Sequence, residues 1–430
     1  MRIPLVTALI LVFLSILVDW AIYSEIKRYS SRARKWGRVY AVSALLCYIY
    51  LGVVLLMPRR NPEANILPIM WCLYGYITVY GSKFIYAVFS RIGMLPLVFR
   101  WKIFHKDIFG DWRSRKLRRF KSGLWFGLPA ALVAFFLMWW GALWGRKQLE
   151  VREVEFYSPK LPEAFEGYRI AQFSDAHVGT WGNDTAFISR LVDSINALKP
   201  DMIVFTGDIV NRQTNEVLPF IPVLSRLSAP DGVYSVLGNH DYGDYCDWDT
   251  PEAREANNAL LLEIQRQMGW RTLNNDRVFI SRPGAPADTL VLIGVENWGD
   301  PPFKQYGRLE DAYSMSTDSV MHLNDERFKI LLTHDPDHWR KEVSKHTNID
   351  LTLSGHTHAM QMMLEAGDWR WSPAKWRYEE WAGMFEKKNE QGVPVRGYVN
   401  IGCGEVGMPF RIGATPEITL FTLRRTPQEQ

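Results

Sequence analysis

Long apolar runs fill the first third of this chain, whereas short apolar runs separated by polar turns fill the rest. Residues 39–57 carry no charged side chain, and as a helix they would span about 28 Å, enough for a bilayer core. Comparable runs occupy 3–23, 66–89 and 124–144. The pattern predicts four membrane helices within residues 1–147, and therefore a multi-pass integral membrane protein.

Two features of these runs allow other interpretations. The first run follows a single basic residue, as in a signal peptide, but it is too long and no small-x-small cleavage site follows. The third run contains Lys83, a costly residue at a bilayer centre. Because Lys83 lies near one end of the run, we expect it to reach the membrane surface by snorkelling. Both runs are therefore predicted to span the membrane.

Basic residues are distributed unevenly among the loops. Six lie between the first two helices and ten lie from Arg91 to Lys121, whereas the second loop has only Arg59 and Arg60. The positive-inside rule puts the first and third loops in the cytoplasm and both termini outside. The third loop could also be an RNA-binding patch. The net charge of only +4 and the adjoining membrane helices favour topology or anionic-lipid contact, with no nucleic-acid partner.

From residue 148 onward the composition becomes that of a globular domain. Short apolar segments typical of buried strands alternate with amphipathic stretches near 185–198 and 216–227 and with a third helical stretch near 251–268. This alternation predicts an α/β layered fold over residues 148–430. The strands are predicted near 149–157, 168–174, 202–206, 232–237, 278–280, 289–295, 328–333, 350–354, 397–401 and 417–424.

Several of these strands end in Asp, Asn or His, often beside Gly. In open α/β sheets, ligands bind beyond the carboxyl ends of the strands, so the side chains at these ends should converge. One Asp-x-His pair alone would be a weak signal, and a single histidine is more often a core residue. Eight side chains share this position: Asp175, His177, Asp208, Asn239, His240, His334, His356 and His358.

Oxygen and imidazole ligands without thiolates suit Mn, Fe or Zn rather than a structural zinc site. The set exceeds what one ion needs. Two ions about 3.5–4 Å apart, with one carboxylate between them, would use it and would bind phosphate oxygens. We therefore expect two divalent metal ions as cofactors.

Taken together, these segments resemble the five motifs of the calcineurin-like metallophosphoesterase family: D-x-H, G-D, G-N-H-[DE], H and G-H-x-H. All five occur in order from Asp175 to His358, and the resemblance covers about 148–430. It implies a core of two packed sheets flanked by helices. With the preceding membrane helices, the layout is similar to the transmembrane subgroup of that family.

The resemblance also implies roles. One ion would be held by Asp175, His177, Asp208 and His358, and the other by Asp208, Asn239, His334 and His356. His240 would protonate the leaving oxygen or stabilise the transition state, and Asp241 would orient it; alternatively, Asp241 is a turn residue. The nucleophile would be a hydroxide, without a covalent intermediate. Gln361 matches the last residue of the common G-H-x-H-G-G-Q pattern. Ala359 and Met360 replace its glycines, which would narrow the approach to the metals.

The substrate class is less defined. We expect hydrolysis of a phosphate ester or pyrophosphate, lipid-linked or envelope-borne, by a domain on the outer side of the cytoplasmic membrane. Some relatives cleave UDP-2,3-diacylglucosamine, so a cytoplasm-facing pyrophosphate hydrolase is an alternative. The second alternative is a non-catalytic membrane sensor or scaffold. No protein partner can be inferred.

A few residues carry open interpretations. Tyr245 and Trp248 are expected to line a substrate pocket, or to pack within their loop. Gln361 is either a site residue or a strand residue. Cys246 and Cys403 could form a disulfide, although packing or surface roles are favoured. The aromatic segment with Trp369, Trp371, Trp376, Tyr378, Trp381 and Phe385 is ordinary as core, but part of it could flank the site and face lipid.

Overall fold

The structure is a computed structural model that describes residues 5–29, 33–58, 60–62, 64–93, 95, 99, 121–312, 326–367 and 369–426. The chain forms two compact units. Unit 1 comprises residues 1–143 and 407–410, and unit 2 comprises residues 144–406 and 411–430. Most of the basic third loop, from Arg100 to Arg119, lies outside the described residues.

Unit 1 is built from long helices: α1 (Leu5–Tyr29), α2 (Ala33–Leu56), α3 (Leu67–Ile92) and α4 (Leu128–Leu143), the last preceded by a π-helical turn at Gly123–Gly127. Among the described residues, three segments are long and apolar enough to cross a membrane: Val6–Ile26, Lys35–Leu56 and Gly123–Lys147. Large apolar side chains such as Phe13, Leu46 and Phe136 are exposed. Exposed apolar surface on this scale is what a lipid-facing helix presents.

A polar cluster ties three of these helices together. The Asp19 carboxylate of α1 accepts hydrogen bonds from Tyr40 and Tyr48 of α2 at 2.6 and 2.5 Å, and from Tyr80 of α3 at 2.8 Å. The Lys83 ammonium donates to the same carboxylate at 3.0 Å. Lys83 thus has a partner that the sequence pattern did not indicate, because an ion pair between the helices compensates its charge, which is the usual solution for buried charges.

The described part of unit 2 contains two six-stranded sheets and a separate two-stranded pair. Its strands are β1 (Glu150–Ser158), β2 (Arg169–Phe173), β3 (Met202–Phe205), β4 (Val233–Ser235), β5 (Trp270–Thr272), β6 (Asp276–Arg282), β7 (Ala285–Gly294), β8 (Lys329–Leu332), β9 (Leu351–Ser354), β10 (Leu364–Ala366), β11 (Trp369–Trp371), β12 (Gly383–Lys388), β13 (Pro394–Val399) and β14 (Glu417–Arg425). Its longer helices are α5 (Ala186–Ala197) and α6 (Pro251–Gln267). Single α-helical turns occur at Ile221–Leu224, Leu309–Ala312, Pro336–His338 and Ser344–His346.

The first sheet has the order β1-β14-β2-β3-β4-β5, and the second has the order β12-β13-β9-β8-β7-β6. Strands β2 to β5 are mutually parallel, as are β13, β9, β8 and β7, while β14–β2, β12–β13 and β6–β7 are antiparallel. Parallel strands need crossovers, which the helices and loops between them supply.

The core lies between the two sheets. Val204 of β3 and Leu332 of β8, from opposite sheets, belong to one cluster of fully buried side chains. On the outer face of the first sheet, Phe205 packs in a second cluster with Leu191 of α5 and Leu261 of α6. A third cluster covers the second sheet, with Leu331 beside Trp339. The two-sheet sandwich flanked by helices, expected from the resemblance, is confirmed.

The helix predicted near 216–227 forms only in part. Residues Thr214–Phe220 are a 3₁₀ helix, and a single α-helical turn follows at Ile221–Leu224. Pro219 and Pro222 lack the N–H that a continuous α-helix requires, so the segment adopts short turns instead.

Candidate metal centre

The ends of five parallel strands bring the predicted ligands together. Asp175, Asp208 and Asn239 follow β2, β3 and β4 of the first sheet, and His334 and His356 follow β8 and β9 of the second. All seven predicted ligands are at or near full burial except His356, which is half-buried. The carboxyl ends of both sheets therefore meet in one buried polar cluster, as the strand-end argument predicted.

The backbone at this cluster is strained. Five of the seven predicted ligands have positive φ, namely Asp175, His177, Asp208, His356 and His358. Such left-handed conformations cost about 1–2 kcal/mol for an ordinary L-residue. The next residues continue the pattern, with φ of 48° at Ala359 and 46° at Met360. Both therefore carry side chains where the backbone favours glycine, which is the residue that the common family motif has there.

The first ligand group consists of Asp175, His177 and His358, whose ligand atoms lie within 4.8 Å of one another. His358 Nε2 is 3.2 Å from Asp175 Oδ1 and 3.1 Å from His177 Nε2. The other oxygen, Asp175 Oδ2, accepts the His356 backbone N–H at 2.9 Å. Two ring nitrogens and one carboxylate oxygen thus converge on one point.

The second group consists of Asp208, His334 and His356. Asp208 Oδ2 lies 3.1 Å from His334 Nε2 and 3.6 Å from His177 Nε2, so this oxygen stands between the two groups. His356 Nδ1 is 3.1 Å from His334 Nε2. The site thus has a carboxylate shared by both groups, which is the arrangement that two neighbouring ions require.

Asn239 supplies a further oxygen. Its Nδ2 donates to the Tyr245 hydroxyl at 2.7 Å, whereas its buried Oδ1 has no hydrogen-bond partner among the described residues. A buried amide oxygen without a partner costs free energy unless a hydrogen-bond donor or a metal ion binds it. Together with the nitrogen and carboxylate donors, this oxygen fits a divalent metal ion.

Backbone carbonyls fix the ring orientation of three histidines. The Nδ1 atoms of His177, His240 and His334 lie 3.1, 2.6 and 2.7 Å from the carbonyl oxygens of Val210, Asn211 and Thr206. A carbonyl can only accept, so each Nδ1 carries a proton and each Nε2 faces the site. This is the usual means by which proteins prepare histidine for a metal.

The electrostatics of the cluster match this donor set. Burial raises the pKa of Asp208, but the charges of His334 and His240 and a hydrogen bond from His334 lower it further, to well below its usual range. Burial lowers the pKa of His177 and of His240, the latter partly offset by the Asp208 carboxylate. Burial lowers the pKa of His334, but the Asp208 carboxylate raises it further, to about 10. His334 therefore pairs with Asp208 as an imidazolium, and metal binding requires it to release this proton.

Asp241 does not touch His240. Its carboxylate accepts the backbone N–H groups of Asp208, Ile209 and Gly238 at 2.8, 2.9 and 2.9 Å. The expectation that Asp241 orients the imidazole is wrong, because the Asn211 carbonyl has that role. Asp241 instead holds together the two loops that carry Asp208 and Asn239.

The three predicted substrate residues differ in their surroundings. The Tyr245 ring stacks on His240 with centroids 4.2 Å apart, and its hydroxyl binds Asn239. Trp248 donates its indole N–H to the Gly243 carbonyl at 2.7 Å, a contact within its own loop. Gln361 is buried and accepts the Val406 N–H at 2.6 Å. Tyr245 therefore contacts both His240 and the predicted ligand Asn239.

Two aromatic residues at the centre were missed from the sequence. The Tyr378 hydroxyl lies 2.9 Å from His356 Nε2, and the Phe303 ring meets the His356 ring edge-on at 4.7 Å. Neither belongs to a motif, although Tyr378 falls within the aromatic segment noted above. With Nε2 paired to this hydroxyl, His356 presents Nδ1 to the second group.

Replacing Tyr378 with Phe should weaken metal binding by the second group about tenfold, because ligand partners of this kind typically contribute 10- to 100-fold in affinity. Competitive dialysis of full-length protein against Mn²⁺ measures this. Tyr168→Phe is the matched control, since it removes a hydroxyl that is bonded to Asp231 at 2.6 Å. Equal affinities in both variants would contradict a positioning role for Tyr378.

Cys246 and Cys403 are both buried and free, so the disulfide considered from the sequence is not formed. The Cys403 thiol lies 3.3 Å from the Ser174 carbonyl, against the loop that carries Asp175. These contacts agree with the packing role favoured from the sequence.

Comparison with known proteins gives two family matches. The profile of the calcineurin-like phosphoesterases matches residues 168–360, and that of a calcineurin-like phosphoesterase transmembrane domain, of the 4TM type, matches residues 1–146. The chain is 33% identical to the metallophosphoesterase YkuE of Bacillus subtilis, over 65% of this chain and 86% of that protein. It is 26% identical to a transmembrane protein with metallophosphoesterase domain from Danio rerio, over 82% of this chain and 72% of that protein.

Proposed function

The chain belongs to the calcineurin-like phosphoesterase family as a membrane-anchored, metal-dependent phosphoesterase, and we propose that it hydrolyses a lipid-linked or envelope-borne phosphate ester or pyrophosphate with two divalent ions. The observation that carries the two-ion proposal is the position of Asp208 Oδ2 between His334 Nε2 and His177 Nε2. A carboxylate oxygen that two ligand groups share has the role of a bridge.

The ligands divide as follows. One ion would be held by Asp175, His177, His358 and the shared Asp208, and the other by Asp208, Asn239, His334 and His356. When bound, the ions supply Lewis-acid activation of the phosphoryl group and of the attacking water. The mixed nitrogen and oxygen donors, without the buried Cys246 and Cys403, support Mn, Fe or Zn.

Proton transfer and positioning are the tasks of the protein's own side chains. His240 lies next to the ligands, with its ring 4.8 Å from that of His177. Its Nδ1–H is held by the Asn211 carbonyl, so its Nε2 is the atom that exchanges a proton with the leaving oxygen or hydrogen-bonds to the transition state. Because burial lowers the pKa of His240, the ring is neutral near pH 7 and must first take up the proton that it donates. Tyr245, stacked on this ring, restricts its rotation.

Metal dependence tests the activity. We expect full-length protein in detergent to hydrolyse an aryl phosphodiester when Mn²⁺ is present. We expect chelation to abolish the activity and added Mn²⁺ to restore it, because the proposed mechanism uses a water molecule that needs a metal ion to become a nucleophile near neutral pH. Release of p-nitrophenolate from methyl p-nitrophenyl phosphate measures this. Activity that persists in a fully chelated, metal-free sample would contradict the proposal.

We further propose that all four helices of unit 1 span the membrane and that unit 2 lies on the outer side. The support is the excess of basic residues in the first and third loops, together with the 4TM family match. A periplasmic alkaline phosphatase reporter fused after Gln430 should be active, and a green fluorescent protein at the same position should be dark. The opposite pair of results would move the site to the cytoplasm and favour a lipid-precursor pyrophosphate as substrate.

A further inference from the structure

A short antiparallel strand pair, β10 with β11, projects one apolar and one polar face. Residues directly opposite in such a pair lie on the same face. Leu364 faces Trp371 and Ala366 faces Trp369, so these four residues share a face. Glu365 and Arg370 occupy the other face and form an ion pair at 2.9 Å. Apolar residues therefore lie on one face of the strand pair, and charged residues lie on the other.

The apolar face is enlarged and exposed. The Trp376 ring meets the Trp371 ring edge-on at 5.7 Å and is 80% exposed. Trp369 is 56% exposed and Leu364 is 52% exposed. We call Leu364, Trp369, Trp371 and Trp376 the aromatic face. By contrast, Tyr378 and Trp381, from the same aromatic segment, are buried in a small core cluster.

Both ends of this segment reach the metal centre. Strand β10 begins six residues after the predicted ligand His358, and the chain returns at Tyr378, whose hydroxyl contacts the ring of His356. The segment between them therefore lies at the rim of the site. A molecule bound to the aromatic face would therefore lie close to the predicted metal ligands.

The covalent chain also keeps this segment near a bilayer. The polar face contacts β1, since the Arg152 guanidinium lies 3.4 Å from Glu365. Arg152 comes only nine residues after Leu143, the last residue of α4. Nine residues span about 30 Å at most when fully extended, so the chain length limits how far Arg152 can be from the end of a membrane helix.

We propose that the aromatic face inserts into the interfacial layer of the bilayer and presents phosphoesters carried by lipids to the metal centre. Tryptophan favours this layer because its ring is apolar while its N–H stays hydrated. The exposed Lys375 beside Trp376 adds attraction to anionic headgroups. The substrate part of this inference rests on the proposed phosphoesterase function, whereas membrane insertion can be measured without any catalysis.

The test compares two phosphodiesters with the same reacting group, soluble methyl p-nitrophenyl phosphate and membrane-borne hexadecyl p-nitrophenyl phosphate. Full-length protein is reconstituted in nanodiscs of phosphatidylcholine and phosphatidylglycerol. In the double variant Trp369→Ser/Trp376→Ser, hydrolysis of the hexadecyl ester should fall about tenfold or more. Hydrolysis of the methyl ester should stay within about twofold, since neither tryptophan contacts a predicted ligand. The control is Tyr157→Ser/Phe279→Ser, which removes two half-exposed aromatic residues from β1 and β6.

Tryptophan quenching by lipids brominated near the headgroup gives the independent measurement. The quenched fraction should decrease in the double variant, which lacks two of the eighteen tryptophans, and should not change in the control.

Unchanged quenching would overturn the proposal, whatever the hydrolysis rates of the two esters are. Equal loss of both esters, or loss of neither, would overturn the substrate-presenting role. A dimer that disappears in the variant, with unchanged quenching, would mean that a second copy covers the face. Wild-type protein inactive on both esters would overturn the proposed function instead, and quenching would still decide insertion.

Discussion

Replacing Asp208 with Asn should lower phosphodiester hydrolysis by about 10³-fold or more and remove most of the bound metal, because one carboxylate serves both ligand groups. The substitution keeps the shape of the side chain but removes its charge. Its Oδ2 faces two imidazole nitrogens, from His334 and His177, and Oδ1 accepts the His240 backbone N–H at 2.8 Å. The amide oxygen of asparagine can still accept a hydrogen bond from that N–H. A neutral amide cannot, however, offset the positive charge of two divalent ions.

Asp350→Asn is the matched control for this experiment. Asp350 is also buried and accepts a backbone N–H, that of Lys329 at 3.0 Å, but it is not among the ligands. Metal content by mass spectrometry, thermal unfolding and hydrolysis rate are measured on both variants. A folded Asp208→Asn protein with normal hydrolysis would contradict the two-ion mechanism. It would support the alternative of a membrane sensor or scaffold that keeps metal for structure.

Replacing His240 with Gln should lower kcat about 10²- to 10⁴-fold, the usual contribution of a general acid or base, while metal content stays normal. His240 lies outside both ligand groups, and its ring is held by the Asn211 carbonyl and by Tyr245. The loss should therefore appear in kcat and not in metal affinity. This separation distinguishes the variant from Asp208→Asn.

His346→Gln controls for the loss of a histidine, because His346 is exposed and pairs with Glu390 away from the ligands. A His240→Gln protein that loses metal would show that the imidazole is a ligand or supports one. A leaving group that needs no protonation separates the two roles left open for His240. If a nitrophenolate ester loses as much rate as a poorer alkyl leaving group, His240 stabilises the transition state rather than protonating the leaving oxygen.

The sequence alone predicted the candidate ligands and determined the type of fold. Asp, Asn and His follow strands so short and apolar that they had to be buried, and carboxyl ends of neighbouring parallel strands meet at one edge. Five such endings in order are enough to predict a buried donor cluster, and the structure brings all seven predicted ligands together. The long apolar runs likewise predicted membrane helices by length and composition.

What the sequence could not determine was each side chain's partner. Asp241 adjoins His240 in sequence, yet its carboxylate turns to three backbone N–H groups, because buried amides at two loops need an acceptor more than a neighbouring ring does. Lys83 pairs with Asp19, 64 residues away. Tyr378 reaches His356 from a segment with no motif.

The aromatic segment shows the same limit. In composition, Trp369, Trp376, Tyr378 and Trp381 are indistinguishable, but two of them are buried and two are exposed. Packing sets this difference: Tyr378 and Trp381 belong to a core cluster with Met363 and Ile401, whereas Trp369 of β11 and Trp376 of the following 3₁₀ turn lie outside it. Local pattern fixes which residue types end each strand. Only the tertiary structure decides which distant groups satisfy their charges and hydrogen bonds, because those contacts join segments that are remote in sequence.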